Sequence, residues 1–597
     1  MNKKFRKCLC AAIAGAILLT SSVGTSLTAY ADSTSASVTQ TKSFKFARKN
    51  MKTYLFMKAP EYTTDLSVYF FDSGTVPYLK IDNFAGLFRT VMIMCGLGDF
   101  DFDISKDGDK VRFQRKDGFY VEFDFANDTI YFFDYNGFLS AEGRTIMNMV
   151  IPSWKAEDGT YSYIKALNES TVRYGHDITM DLGAYDINLR RRDDGYYVPM
   201  QTLSDIFFAP SQINLLYNGR AVIVYSGSAD PLVTLEGFTA LGEVYYGKNG
   251  KYAGQKIGKD LAEYSYNELC FAMDHLYGLK ENHKIDSFAE LVEQRGFTLL
   301  MTETDTRSSD YALYQLIHQN IDDQHSTFNM PSYASGVAFG EALYEKFGEG
   351  RARDDTFELE EEYEKIRDKY NPDGVPGYQE VGDTAYITFD NFFVNTRDYY
   401  EKAPTADDKD TFGIIAYSVQ QILRKGSPIK NVVLDLSCNT GGQADAAVYT
   451  IAAFLGKASI SLEDPNTGAL ATHDYKIDTN FDHKFDSKDT LAGKGLNLYC
   501  LESKVSFSCG NLVPSVFKDD PHVTLIGQRS GGGACSVMPM STATGSLFRV
   551  SSSMRLSFLR NGSFYDIDQG AEPDFVISKM EHFYDREALT KYIDGLF

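Results

Sequence analysis

The feature that most constrains the fold is a pair of junctions where an apolar segment runs through small residues directly into a helical pattern. In the first, Val432 to Leu434 lead through Asn439-Thr440-Gly441-Gly442 into the helix-like run DAAVYTIAAFLG. A short, wholly apolar run predicts a strand buried on both faces, as in a parallel sheet covered by helices. Strand-like and helix-like segments alternate from TAYITFDNF onward, so we expect an α/β domain over residues 381–597.

The second junction is KVSFSCGNLVPSVFKDD, in which Ser508 stands directly before Cys509, Gly510 and a helical pattern. A serine hydroxyl there would be exposed, with the N–H groups of the helix behind it. The paired glycines of the first junction let backbone N–H groups point outward, so that turn either holds an oxyanion or makes a tight connection. Ser508 is accordingly either a nucleophile or a small residue at a turn, and the junctions alone leave both interpretations open.

Four segments, LDLSCNTGG, FSCGN, LIGQRSGGG and GAEPDFVI, occur in the order and spacing of the S41 peptidases, the tail-specific and tricorn-core serine proteases. The upstream DDQHSTF resembles the Asp-x-His segment of that family, so the similarity covers residues 259–597. The resemblance implies a ClpP/crotonase-like α/β catalytic domain with a helical subdomain. It implies hydrolysis of peptide bonds through an acyl-enzyme, but some members bind peptides or apolar ligands without cleaving them, and this second function stays open.

The resemblance also implies a base for the serine. The tail-specific branch uses a lysine in the glycine loop, but the corresponding stretch RSGGGACS contains none. A general base must come within hydrogen-bond reach of the hydroxyl. His325 matches the histidine of the tricorn-like branch, and we take it as the base for Ser508. The group that fixes the imidazole is then Asp568, with Asp566 as the alternative.

By the same resemblance, the oxyanion is held by the backbone N–H of Cys509 with that of Gly441 or Gly442. Cys509 is itself a rival nucleophile, because a thiol at a helix N-terminus can be activated. Asn511 stands where the family commonly has glutamate, so we expect the hydrogen bonds around the site to differ from those of the family while the proposed nucleophile stays the same.

The segment DTNFDHKFDSKD, residues 478–489, has oxygen-bearing side chains at the spacing of an EF-hand or dockerin calcium loop. Its sixth position is His483 in place of the usual glycine, which would require a positive φ at that histidine. The alternative is an acidic surface turn. We predict a structural calcium ion and no cofactor for catalysis, the calcium ligands being Asp478, Asn480, Asp482, the carbonyl of Lys484, Asp486 and Asp489.

The N-terminus predicts export. Four basic residues, an apolar stretch too short to span a bilayer and the sequence Ala29-Tyr30-Ala31 are typical of a signal peptide, residues 1–31, cleaved after Ala31. The chain has 81 acidic and 59 basic residues, a formal net charge of −22, which argues against nucleic acid or anionic membranes as partners. We therefore expect a secreted, extracellular protein with no membrane span that acts on proteins or peptides. Six cysteines beyond the leader do not make a disulfide scaffold, and the sequence leaves any pairing open.

Residues 32–230 are rich in Tyr and Phe and show strand and hairpin patterns. A Val-Pro pair followed by a helical period occurs twice, at 76–88 and at 198–207, and these two weak repeats resemble the small β-rich repeat of some copper amine oxidases and cell-wall proteins. We expect a β-rich α+β region that serves as a spacer or as a docking module for cell wall or glycan. Helical periodicity then predicts a helical subdomain over 231–336 and a charged helical insertion or linker over 337–380.

Overall fold

The computed structural model describes residues 46–55, 63–141, 146–150, 163–167, 170–226, 233–234, 237–238, 240–395 and 397–596. The predicted signal peptide lies outside these residues. The strands of the N-terminal part are β1 (Ala47–Leu55), β2 (Thr63–Phe70), β3 (Tyr78–Lys80), β4 (Phe102–Asp107), β5 (Lys110–Arg115), β6 (Tyr120–Asp124), β7 (Thr129–Phe132), β8 (Ile164–Ala166), β9 (Thr171–Arg173), β10 (Ile178–Asp181), β11 (Arg190–Arg192), β12 (Gly195–Pro199), β13 (Ile213–Tyr217), β14 (Ala221–Ser226), β15 (Val233–Thr234) and β16 (Gly237–Phe238).

The remaining strands are β17 (Thr327–Met330), β18 (Tyr378–Val381), β19 (Thr384–Thr388), β20 (Asn431–Asp435), β21 (Ala458–Asp464), β22 (Ala469–Ile477), β23 (Asn497–Glu502), β24 (Val523–Gly527), β25 (Cys535–Ser541), β26 (Leu547–Arg560), β27 (Ser563–Tyr565) and β28 (Phe575–Val576). The α-helices are α1 (Ile81–Met94), α2 (Tyr135–Phe138), α3 (Met200–Leu203), α4 (Ala240–Tyr246), α5 (Lys259–Leu276), α6 (Phe288–Gln294), α7 (Thr298–Met301), α8 (Thr306–Gln315), α9 (Val337–Phe347), α10 (Arg351–Tyr370), α11 (Thr411–Ile422), α12 (Ala444–Leu455), α13 (Cys509–Lys518), α14 (Glu581–Tyr584) and α15 (Arg586–Asp594).

Six strands in the order β18-β19-β20-β23-β24-β28 form the sheet that carries the predicted strand-to-helix junctions. All of them except the antiparallel β18 run parallel. Every residue of β19 and β20 is buried, and α11, α12 and α13 share one apolar core with this sheet. The predicted α/β fold is therefore confirmed. Because the carboxyl ends of parallel strands share one edge, the turns that follow β19, β20 and β23 meet there.

A second sheet is built around the long strand β26. Its order is β17-β26-β21-β22-β8, with β25 and β27 also pairing with β26 and β9 with β22. The short strand β17 is antiparallel to β26, and Thr327 lies opposite Arg549. This pairing fixes the segment immediately before β17, which contains His325.

The two Val-Pro repeats of the N-terminal region have similar local structures. In the first, β3 leads into α1, and in the second, β12 leads into α3. The strands β3 and β12 pair with each other, with Leu79 opposite Val198. The two repeats therefore lie side by side in one sheet.

The N-terminal region packs against the rest of the described chain across the expected boundary at residue 230. Its apolar core is continuous with that of helices α5 to α9 and of strands β25 and β26. The side-chain amides of Gln212 and Asn214 donate to the carbonyls of Val537 and Pro539, at 2.7 Å and 3.1 Å. Strands β8 and β9 also pair with β22. Sequence periodicity reports local structure, and it carries no information on a packing partner some 300 residues away along the chain.

The predicted helical segments are present as α5 to α8 and as α9 and α10, but two expected boundaries differ. Strand β17 falls inside the subdomain expected over 231–336, and β18 forms a hairpin with β19, so a boundary at residue 380 divides that hairpin. Tyr363 of α10 packs on Phe583, with ring centroids 5.4 Å apart, so the charged insertion packs against the C-terminal helices. Among the described residues, no helix combines the length and the apolar composition needed to cross a bilayer.

Candidate active site

Ser508 lies at the residue before α13 and has a strained backbone. Its φ is 58° and its ψ is −122°, a conformation that non-glycine residues adopt only when neighbouring contacts impose it. Those contacts are present, because its N–H donates to the carbonyl of Gly532 at 2.9 Å and its carbonyl accepts from Asn511 and Leu512 at 2.9 Å each. The preceding strand β23 ends at Glu502, so a tight loop, and not the strand itself, brings partly buried Ser508 to the sheet edge.

The glycine turn after β20 lies directly against Ser508. A Cβ on Gly441 would stand 2.7 Å from the Cβ of Ser508 and 2.7 Å from the carbonyl oxygen of Phe507, and φ there is +100°. A Cβ on Gly442 would collide with the carbonyl of Phe392. Both positions therefore require glycine.

Two backbone N–H groups are available beside Ser508. The N–H of Gly441 donates to the side-chain oxygen of Asn439 at 2.9 Å and is therefore occupied. Within the part of the chain that the structure describes, the N–H groups of Gly442 and Cys509 have no acceptor. Of the two predicted pairs, the one formed by Cys509 and Gly442 has both donors free.

His325 is buried next to the residue that precedes Ser508. Its ring centroid lies 4.6 Å from that of Phe507, and only 6% of the residue is exposed. Its Nδ1 is 3.5 Å from the hydroxyl of Ser551 on β26. Its Nε2 has no partner among the described residues, so no hydrogen bond joins it to Ser508. The ring of His325 thus packs on the residue next to Ser508 without a hydrogen bond to the serine, and catalytic hydrogen bonds commonly tighten only when substrate binds.

Burial sets the ionisation of His325. Desolvation lowers its pKa to about 4, the negative charge of Asp323 opposes this shift, and the charges of Arg549 and Arg353 add to it. The imidazole is therefore neutral at pH 7 and able to accept a proton.

His318, a second buried histidine, differs from His325 in its hydrogen bonds. Its Nδ1 bonds to the carbonyl of Glu349 at 2.9 Å and its Nε2 accepts from the N–H of Phe328 at 3.1 Å. Among these two buried histidines, only His325 has an unoccupied nitrogen.

The carboxylates expected to orient His325 form no hydrogen bond with it. Asp568 accepts from the N–H of Ala534 at 3.2 Å, and burial followed by the charges of Asp566 and Asp323 raises its pKa. Asp566 accepts from the N–H of Asp568 at 2.9 Å. The group within reach of the imidazole Nδ1 is instead the hydroxyl of Ser551. Sequence reasoning missed this serine, because a serine run inside a long strand carries no signal of its own.

Two further residues bear on the site. The Asn511 amide donates to the carbonyl of Ile567 at 2.9 Å and accepts from the hydroxyl of Ser530 at 2.7 Å, so it ties α13 to the loop that carries Asp568. The thiol of Cys509 donates to the carbonyl of Gly442 at 3.2 Å, and burial raises its pKa to about 12. A thiol of that pKa is not ionised at neutral pH, which argues against the rival nucleophile.

The predicted calcium loop is held by its own backbone. The buried carboxylate of Asp478 accepts from the N–H groups of Phe481 and His483 at 2.6 Å and 2.8 Å, and that of Asp489 accepts from Thr479 at 2.9 Å. The φ of His483 is 61°, the positive value that the loop spacing requires. Across the described residues, no three acidic, histidine or cysteine side chains converge on a common point. The described cysteines are all free thiols, namely Cys95, Cys270, Cys438, Cys500, Cys509 and Cys535.

A strained serine beside free N–H groups, at the carboxyl edge of an α/β sheet, is an arrangement that can hold an oxyanion next to a hydroxyl. The model of peptidase family S41 matches residues 383–577, so this part of the chain is similar to the peptidases of that family.

Three solved structures illustrate the similarity. A lipoprotein from Streptococcus agalactiae matches 57% of this chain and 96% of its own at 16% identity, with a TM-score of 0.32. A putative peptidase from Parabacteroides merdae matches 54% of this chain and 95% of its own at 16% identity, with a TM-score of 0.38. The photosystem II D1 C-terminal processing protease matches 35% of this chain and 46% of its own at 18% identity, with a TM-score of 0.26. No curated protein matches the chain.

Proposed function

We propose that the protein is a secreted serine peptidase that cleaves exposed segments or C-terminal tails of proteins, with Ser508 as nucleophile and His325 as base. The observation that carries the proposal is the strained backbone of Ser508, which aims the residue at an edge where the N–H groups of Gly442 and Cys509 are free. Strain of about 1–3 kcal/mol persists only where surrounding contacts impose it, and it is concentrated at functional sites. The predicted signal peptide supports secretion.

In the proposed reaction, the Ser508 hydroxyl attacks the carbonyl carbon of the scissile bond and its proton passes to Nε2 of His325. The negative charge that develops on the carbonyl oxygen is stabilised by the N–H groups of Gly442 and Cys509, each worth about 3 kcal/mol in the transition state. The imidazolium then protonates the leaving amine, and water hydrolyses the acyl-enzyme with the imidazole again as base. The hydroxyl of Ser551, near Nδ1, restrains the ring in our proposal.

Covalent labelling tests this assignment. We expect a fluorophosphonate probe to label the wild-type protein and Cys509→Ser, but not Ser508→Ala, and we expect His325→Ala to label at least 100-fold more slowly. Thermal melting of each variant controls for folding. Labelling of Ser508→Ala, or wild-type labelling rates in folded His325→Ala, would overturn the pair.

One observation favours a second candidate function, a peptide-binding protein without hydrolysis. Ser508 and His325 form no hydrogen bond, and the low pKa of His325 makes it a weak base. If the wild-type protein fails to label but binds peptides as tightly as Ser508→Ala does, the binding function is the correct one.

We further propose that the loop over residues 478–489 binds a structural calcium ion. The spacing and the positive φ of His483 support this, and so does the crowding of carboxylates in the loop. Burial raises the pKa of both Asp478 and Asp489, and a neighbouring carboxylate adds to each shift, that of Asp489 for Asp478 and that of Asp486 for Asp489. Binding would require these carboxylates to turn from backbone N–H groups toward the ion. Melting curves recorded with calcium and with a chelator should differ by several degrees, and superimposable curves would contradict the proposal. Contact of the N-terminal region with cell wall or glycan stays a prediction.

A further inference from the structure

A cavity of about 300 Å³ lies beside the carboxyl end of β19. It is bounded by the C-terminal end of α10, the turn before β18, the segment that follows β19 and the start of α11. Its apolar lining is formed by Val375, Phe389, Phe393 and Ile414. Its lining includes none of the residues proposed to act as nucleophile, base or oxyanion donors.

The cavity wall is hydrogen-bonded to the glycine turn beside Ser508. The carbonyl of Asp390 accepts from the N–H of Thr440 at 3.1 Å, and the N–H of Phe392 donates to the carbonyl of Gly441 at 2.8 Å. The cavity and Ser508 therefore share the edge formed by the carboxyl ends of the parallel strands. In open α/β sheets, ligands bind outside this edge.

Strand geometry relates the cavity to the scissile bond. One strand spacing of about 5 Å separates β19 from β20, and the turn after β20 lies directly against Ser508, so the cavity wall and Ser508 are about 10 Å apart. An extended peptide advances about 3.3 Å per residue. A peptide whose scissile carbonyl lies at Ser508 would therefore bring to the cavity a side chain about three residues away from the cleaved bond.

The charges around the cavity favour an uncharged occupant. Both nitrogens of the Arg367 fork bind the carboxylate of Asp390, at 2.7 Å and 2.8 Å, so these charges offset each other. The exposed ammonium of Lys409 at the rim repels a cationic side chain. A volume of about 300 Å³, in which four apolar side chains share the lining with polar groups, has room for a large aliphatic or aromatic group.

We propose that this cavity is a specificity subsite that takes a bulky apolar substrate side chain two to four residues from the scissile bond. The inference rests on the proposed peptidase function, since it requires a peptide bound across Ser508. It adds the substrate class that the proposed function leaves open.

The test is a set of peptides that are identical except for a single Phe, Ala or Lys placed in turn at each position around the cleaved bond. We expect kcat/KM to be at least about tenfold higher for Phe than for Ala at one position two to four residues from that bond, and Lys to be as poor as Ala or poorer. Val375→Phe fills the cavity and should bring the Phe-to-Ala ratio close to one. Val375→Ala should shift the preference from Phe toward Trp, which keeps the test valid if Val375→Phe does not fold. Val576→Phe is the matched control, because Val576 is 66% exposed on β28, outside the cavity, and its ratio should equal that of the wild type.

The outcomes separate the two proposals. If Ser508→Ala abolishes cleavage but the wild-type protein shows no preference at these positions, or Val375→Phe keeps the wild-type ratio, the subsite is wrong and the peptidase assignment stands. If no peptide is cleaved, or Ser508→Ala cleaves as the wild type does, the peptidase assignment fails and the subsite fails with it.

Discussion

Replacement of Gly441 by alanine is expected to remove activity while leaving the protein folded. The added Cβ would lie 2.7 Å from the Cβ of Ser508 and from the carbonyl oxygen of Phe507, and 3.2 Å from the nitrogen of Cys509, whereas ordinary contacts begin at 3.4 Å. Relief requires a displacement of about 0.7 Å, and productive geometry tolerates only about 0.5 Å. Misalignment of one oxyanion donor costs about 3 kcal/mol, so we expect kcat to fall 100-fold to 1000-fold.

Gly118→Ala is a matched control for this substitution. Gly118 has the same φ of +100°, but a Cβ there would meet nothing within 4 Å. Both variants carry the backbone strain of a positive φ, about 1–3 kcal/mol, and Gly441→Ala adds its steric clash, so urea unfolding should show both proteins folded and the larger loss of stability in Gly441→Ala. Only Gly441→Ala should lose peptide hydrolysis and fluorophosphonate labelling. Equal activity in the two variants would refute the reasoning, because strain alone would then account for every effect of the glycine turn.

Three further predictions concern charges. The guanidinium of Arg586 lies 2.5 Å from the buried carboxylate of Asp435, and Arg586→Met removes it. This should lower the free energy of unfolding, measured in urea titrations, by about 3–5 kcal/mol, and the double variant Arg586→Met/Asp435→Asn should recover part of that loss. Additive losses from the two substitutions would contradict a direct ion pair. Burial raises the pKa of both Asp205 and Glu268, that of Glu268 to about 7, so the folded state binds protons more tightly than the unfolded chain. The contribution of these two protonated carboxyls to the free energy of unfolding is complete below pH 4 and is lost as pH rises through 7, by up to about 1.4 kcal/mol per pH unit per group. Glu268→Gln should therefore flatten the plot of unfolding free energy against pH. An unchanged slope in that variant would contradict the assignment of the pH dependence to this pair. Since the pKa of His325 is lowered to about 4, kcat/KM should stay level from pH 8 to pH 5 and fall below that, and a fall centred near 6.5 would show that the base is not this buried imidazole.

Local patterns in the sequence were sufficient to predict the sheet edge. An apolar run followed by paired glycines forms β20 and its turn because those preferences act over a few residues, and the same holds for Ser508 at the start of α13. The sequence could not tell which glycine N–H is free. That depends on the side chain of Asn439, which folds back onto Gly441.

The orienting group for the base could not be predicted for a different reason. Ser551 comes within 3.5 Å of His325 only because β17 pairs with β26, and residues 226 positions apart leave no periodic signal when they meet. The resemblance to a known family supplied Asp568 for this role, but that carboxylate is held by the N–H of Ala534. Local preferences were thus enough to place Ser508 at the sheet edge, whereas the contacts of His325 follow from long-range pairing.

That pairing gives the N-terminal region a part in positioning the base. Strand β26 carries Ser551 and pairs with β17, and β25, which pairs with β26, receives hydrogen bonds from Gln212 and Asn214. The region also shares one continuous apolar core with β25 and β26, so a fragment without it would expose that core and release the strands that hold His325. A fragment of residues 32–230 alone would expose the complementary surface and bind apolar partners without specificity. Docking to cell wall or glycan is therefore best measured on the full chain, with surface substitutions in place of truncations.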